Sequence, residues 1–224
     1  MLIKKILSYA FYTIYFLLLL LIIAADISPR IAINTRVRLL CAVFVIILVI
    51  AATVIRNSYL RDKESKIKTA VFSYWILFIF YSVNLFMMLF LDMTYGRTAI
   101  YRYGLDVDHA TYFRANTNFI PFKEIIYGYE NIAWGNIGYF VTNILGNLFA
   151  FAPMGFFIPL LFKRINSLKS FVILILSIIM TVEIMQFITM TGRFDIDDVI
   201  LNSFGAIITY IIVTKIKKYR NKIN

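Results

Sequence analysis

Phe171-Val-Ile-Leu-Ile-Leu-Ser-Ile-Ile-Met-Thr-Val-Glu-Ile-Met-Gln-Phe-Ile-Thr-Met-Thr191 contains a single charged side chain, Glu183. About 20 such residues, rising ~1.5 Å each as a helix, cross the hydrocarbon core of a bilayer. Working outward, five more runs read the same way: Ile6–Ala25, Leu39–Ile55, Ala70–Leu91, Ile137–Phe162 and Val199–Thr214. The sixth run, Val199–Thr214, is short, so its helix is expected either to be tilted little or to begin within the acidic turn before it. Ile137–Phe162 carries Pro153 and Pro159 with Gly155 between them, which predicts a kink or break. The predicted fold class is all-α: a polytopic membrane protein, a bundle of about six transmembrane helices with an external interfacial segment.

Composition agrees. The 224 residues are 61% hydrophobic and only 16% charged, with a mean hydropathy of +0.81. A soluble domain of this size needs more polar surface. The charges cluster between long apolar runs, whereas a β-barrel shows short segments of period-two alternation. The lone Cys41 sits in an apolar run and excludes an internal disulfide. The net charge of +11 resides mainly in short connections and the C-terminal end, where it orients the chain and meets anionic headgroups. No nucleic-acid-binding pattern accompanies it.

The run after Lys4 and Lys5 is longer than a signal-peptide core, and Ile23 suits a cleavage site poorly, so an uncleaved helix is expected. With a cytoplasmic N-terminus, six spans put fifteen of the 23 Lys and Arg residues on the cytoplasmic side. The positive-inside rule then predicts a multi-pass cell-membrane protein with both termini cytoplasmic. The long connection from Asp92 to Asn136 becomes external. Its rings, among them Tyr101, Tyr103, Tyr112, Phe113, Phe119, Phe122, Tyr127 and Tyr129, predict a segment lying at the headgroup level. Phe122–Tyr127 is the expected interfacial helix, after Pro121.

Polar residues in and beside the last three spans form the candidate site. Asn143 and Asn147 are i, i+4 on the fourth span, which predicts a shared face, with Gly146 admitting a neighbouring helix. Glu183 and Gln186 are i, i+3 on the fifth. Gly192-Arg-Phe-Asp-Ile-Asp-Asp198 joins the fifth and sixth, and Asp198 and Asn202 are again i, i+4. A carboxyl such as Glu183 must be protonated, paired or hydrated, with Arg193 and Arg114 as candidate cations. Asp195, Asp197 and Asp198 are placed to cap the sixth helix. His109 reads as a solvated loop residue, and no metal site is assigned.

These residues carry a resemblance. Asn143-Ile-Leu-Gly-Asn-Leu-Phe-Ala-Phe-Ala-Pro-Met-Gly-Phe157, Glu183-Ile-Met-Gln186, Gly192-to-Asp198 and Asn202-Ser-Phe-Gly205 resemble, in order and spacing, the signature of the VanZ-like family. Asn118-Phe-Ile-Pro-Phe122 is similar to a family element just outside the membrane. The likeness covers roughly 70–215, dividing the chain into a two-helix extension, 1–69, and a VanZ-like membrane domain, 70–224. It implies resistance to the glycopeptide teicoplanin, the trait that named the family, and brings no catalytic mechanism with it.

Two functional readings follow. In the first, an outer-leaflet cluster of Arg114, Asn118, Asn143, Asn147, Glu183, Gln186, Arg193, Asp195, Asp197, Asp198 and Asn202 binds an amphiphile. The partners are membrane lipids and a lipid-linked cell-envelope precursor or lipoglycopeptide. In the second, the acidic residues hold a divalent cation and the chain is an intramembrane enzyme acting on a polyprenyl-phosphate-type lipid. Against both stands a purely architectural role, in which amides and glycines join helices and aspartates cap them. The sequence names no cofactor.

Overall fold

The computed structural model describes residues 1–28, 35–91 and 108–223, so Tyr101 and Tyr103 lie outside the described residues. Six helices among them are long and apolar enough to cross a membrane, as the sequence predicts. The protein is an all-α, multi-pass membrane protein. It divides into two compact units, Met1–Met93 and Thr94–Asn224.

The first unit holds α1 (Leu2–Ile27), α2 (Thr35–Asn57) and α3 (Lys63–Phe90). Tyr15, Leu19, Ile22, Val45, Val49, Ile76 and Phe80 form its core. Helix α3 starts seven residues before the apolar run because Asp62 caps it, accepting from the Ser65 N–H at 2.7 Å. Hydroxyls tie the three helices inside: Ser73 lies 2.6 Å from Thr53 and 3.2 Å from Tyr12. Arg38 donates to both carboxylate oxygens of Asp26, whose side chain is 3% exposed. A bidentate pair of this kind keeps a guanidinium tolerable among apolar helices.

The second unit begins with α4 (His109–Ala115), a two-residue strand β1 (Thr117–Asn118) and α5 (Lys123–Ala133). His109 is exposed in the first turn of α4, behind the Asp108 cap. The fourth span, α6 (Ile137–Leu161), is interrupted: Phe140–Leu145 is π-helical and Phe151 bends the chain before Ala152–Leu161. Pro153 fits the first turn after that bend, where a missing N–H costs nothing. Helix α7 (Leu168–Ile188), β2 (Phe194–Asp195) and α8 (Ile196–Ile223) complete the unit. Of the two expectations for the short sixth run, the second holds: α8 starts inside the acidic turn.

Helix α8 packs on both α7 and α6. Phe171 stacks on Tyr210 with ring centroids 4.3 Å apart. At Gly155 and Gly205, α6 and α8 come within backbone contact: a Cβ on Gly205 would lie 1.8 Å from the Leu148 carbonyl oxygen. Gly146, expected to admit a neighbouring helix, is exposed; a Cβ there would meet only the Val141 oxygen of its own helix, at 3.7 Å. Close approach therefore belongs to Gly155 and Gly205.

Candidate functional site

A parallel two-stranded ladder organises one end of the second unit. Thr117 pairs with Phe194 and Asn118 with Asp195, and the Phe194 N–H donates to the Asn116 carbonyl at 2.9 Å. The ladder gathers the end of α4, the start of α5, the end of α7 and the start of α8. Tyr112, expected at the headgroup level, is 2% exposed and donates its hydroxyl to the Gly192 carbonyl. A phenol with a buried acceptor is held in the interior rather than at the surface. Phe113, Phe119, Phe122, Tyr127 and Tyr129 are exposed. The interfacial helix runs Lys123–Ala133, longer than Phe122–Tyr127.

The three aspartates of the turn do three different things. Asp195 caps α8: one oxygen accepts from the Asp197 N–H at 2.9 Å and from the Asn118 amide at 2.9 Å. Asp197 is fully buried and caps a different helix, α5, accepting from the backbone N–H groups of Phe122, Glu124 and Ile125. Asp198 accepts from the Asn147 amide, joining α8 to α6. A common role for all three in capping the sixth helix is thus corrected. The reason is tertiary, because α5 arrives with unsatisfied N–H groups over the same turn.

Glu183 is 4% exposed on α7, and its Oε2 has no hydrogen-bond partner among the described residues. Its carboxyl faces the backbone N–H and the charge of Asp195, and acts electrostatically on Asp198. Gln186, one turn on, is also buried and packs against Gly192. Asn202 is buried, and its Oδ1 has no partner among the described residues. Glu183, Gln186, Asp195, Asp198, Asn118 and Asn147 therefore share one end of the unit.

Other expected members stand apart. Asn143 is exposed and donates to the Tyr139 carbonyl at 3.1 Å. The π-helical turn bonds the Gly146 N–H back to Val141, five residues away; Asn143 on that turn is exposed, whereas Asn147 after it reaches Asp198. Arg114 is exposed on α4 and makes no ion pair among the described residues, so it does not serve Glu183. Arg193 does not pair with Glu183 either; it donates to Glu124 at 2.8 Å and to Asp195 at 3.4 Å. Glu124 escaped the sequence reading. Its other oxygen accepts from the Tyr139 hydroxyl, linking α5, α6 and the acidic turn. It is the first acid after Pro121 in an otherwise aromatic stretch, and that isolation was the available signal.

Burial pushes the Glu124 carboxyl up. Hydrogen bonds from Tyr139 and Arg193, with the Arg193 charge, outweigh burial and hold it below its ordinary 4.5. Its stabilising contribution is therefore present above about 4.5 and lost as pH falls through the lower folded value. Asp195 has the opposite sign: burial raises it despite the bonds from Asp197 and Asn118, so its contribution is lost as pH rises through its folded value. Glu124→Gln is expected to cost at most about 1 kcal/mol at pH 7, because Arg193 is half-exposed and screened. The variant should also soften the loss of stability between pH 5 and about 3. Melting curves of the solubilised protein across that range check it; an unchanged acid limb would contradict the assignment.

Beside Glu124 a cleft of about 560 Å³ is lined by Ile120, Pro121, Lys123, Ile126, Tyr127 and Glu130. Its volume matches the usual range for small-molecule sites, and its walls are mainly apolar. Among the described residues, no three His, Cys, Asp or Glu side chains converge to hold a metal ion. Asp197 in particular is engaged by three backbone donors. No curated protein and no solved structure matches the chain. The VanZ/LLP1 family model matches residues 78–217, well over half of the sequence, and the chain belongs to that family.

Proposed function

We propose that this VanZ/LLP1-family protein contributes to teicoplanin resistance by engaging an amphiphilic or lipid-linked cell-envelope molecule. The family's link to teicoplanin resistance supports the phenotype. The charge distribution supports cytoplasmic termini, which set the acidic turn and α5 at the outer leaflet. In the same reading, residues 1–69 are an N-terminal extension to the VanZ-like domain, 70–224.

One observation carries the proposal. Glu183 keeps a carboxyl in a membrane-spanning helix at 4% exposure, with Oε2 unpartnered among the described residues. Such a group is costly to retain for architecture alone. It lies at the same end of the unit as a cleft that is polar at Glu124 and apolar along Ile120, Ile126 and Tyr127. A polar head and an apolar chain, covalently joined, match that arrangement.

Susceptibility decides it. Cells carrying the gene should tolerate more teicoplanin than cells lacking it, with a smaller difference for vancomycin. Glu183→Gln should abolish that difference while the protein stays in the membrane at normal level. Losing one hydrogen bond to a charged group, about 1.5–3 kcal/mol, is tenfold or more in affinity. Undiminished protection by Glu183→Gln would return the residue to an architectural role.

A further inference from the structure

We propose that the headgroup recognised at this site carries a primary ammonium group, held between Glu183 and Asp198. The inference rests on the amphiphile reading above and adds the charge of the ligand.

Charge at the cluster is one-sided. Asp198 feels Glu183, Asp195 and Glu124, with Arg193 as the cation among the groups acting on it. Four carboxyls therefore meet one guanidinium, which already donates to Glu124 and Asp195, and the ammonium of Lys123, which acts on Glu124 at the cleft. A phosphate or carboxylate arriving here would face several like charges and no unengaged fork, which disfavours an anionic headgroup.

The hydrogen-bond inventory points the same way. The Glu183 carboxyl is 4% exposed and meets the Asp195 N–H, while its Oε2 has no donor among the described residues. Asp198 is only partly buried and accepts from the Asn147 amide. The cluster is rich in acceptors and short of donors. An ammonium group supplies three N–H donors and a positive charge in one compact atom group. A quaternary ammonium supplies the charge without the donors, and an amide supplies a donor without the charge. The approach is past Asp198 from the side of Arg193, which is half-exposed. The alkyl part is assigned to the cleft at Glu124, the residue to which Arg193 donates, along Ile120, Ile126 and Tyr127.

Full-length protein in neutral maltoside micelles tests this with three probes of equal chain length: dodecylamine, N-dodecylacetamide and dodecyl phosphate. Dodecylamine, cationic at pH 7, should bind saturably and at least tenfold more tightly than the acetamide. Dodecyl phosphate should fail to displace it. Glu183→Gln should remove the preference, and Asp198→Asn serves if the first variant does not accumulate. Equal binding of amine and acetamide, tighter binding of the phosphate, or full preference in both folded variants would overturn the ammonium assignment while leaving the amphiphile reading standing. Failure of all three probes to bind would sink that reading as well. A lipid amine and an antibiotic amine are then separated by displacement. An aminophospholipid in mixed micelles competes in one case, and teicoplanin, but not its N-acetylated form, competes in the other.

Discussion

Gly205→Ala is expected to leave almost no folded protein in the membrane. The added Cβ would stand 1.8 Å from the Leu148 carbonyl oxygen and 2.9 Å from its carbon. Both are backbone atoms, so no rotamer change relieves the clash. The helices must separate by more than an ångström, or α6 must bend again below its existing break at Phe151. Overpacking in a yielding core costs about 1–3 kcal/mol, and a backbone clash belongs at or above the top of that range. Gly155 lies along the same seam, where a Cβ would come within 2.2 Å of the Ala206 oxygen and 2.7 Å of the Tyr210 nitrogen. Gly146→Ala is the control. Its Cβ meets nothing closer than 3.7 Å, and alanine favours a helix by about 1 kcal/mol over glycine, so it should be neutral or stabilising. The measurement is the fraction recovered monodisperse after mild solubilisation, with melting of what remains. Normal recovery of Gly205→Ala would mean the α6–α8 contact is looser than described.

The contrast between these glycines shows which parts of the molecule its sequence reveals. The six spans are legible because crossing a bilayer demands about 20 apolar residues in series, a constraint written locally. Their ends are less so, since a helix continues through polar flanks once its cap is satisfied. Lys63–Thr69 extends α3 behind the Asp62 cap, and hydropathy does not register it. Glu183, Gln186, Asp198 and Asn147 are legible because polar groups are conspicuous in apolar runs. Asn143 illustrates the opposite case. Helical spacing puts it beside Asn147, but it lies exposed on a π-helical turn and donates to the Tyr139 carbonyl, while Asn147 alone bonds to Asp198. Glu124 and the role of Asp197 depend on segments about 70 residues apart meeting at a short ladder, and no periodicity encodes that meeting.

Asp197→Ala should unfasten α5 while the membrane-spanning helices persist. The carboxylate is fully buried and accepts from the Phe122, Glu124 and Ile125 N–H groups, the Glu124 distance being 2.7 Å. The first turn of any helix leaves such donors without intrahelical partners. The residue at the N-cap position, Phe122, has no side-chain acceptor and sits at φ 67°, in the left-handed region that costs a non-glycine residue about 1–2 kcal/mol. Asp197 is what makes that conformation tenable. Removing a buried charged partner from several donors costs about 3–5 kcal/mol, whereas Asp197→Asn, keeping shape and one acceptor, should cost about half as much. The loss is local: backbone amides of Glu124 and Ile125 should exchange rapidly with solvent, and protease should cut near Phe122. The Arg193 and Tyr139 bonds to Glu124 should loosen with them, since all three meet at the same turn. Hydrogen exchange on the solubilised variant reads this directly. If α5 amides stay protected while α8 amides exchange, Asp197 stabilises its own helix, and the geometry that brings α5 over the acidic turn is wrong.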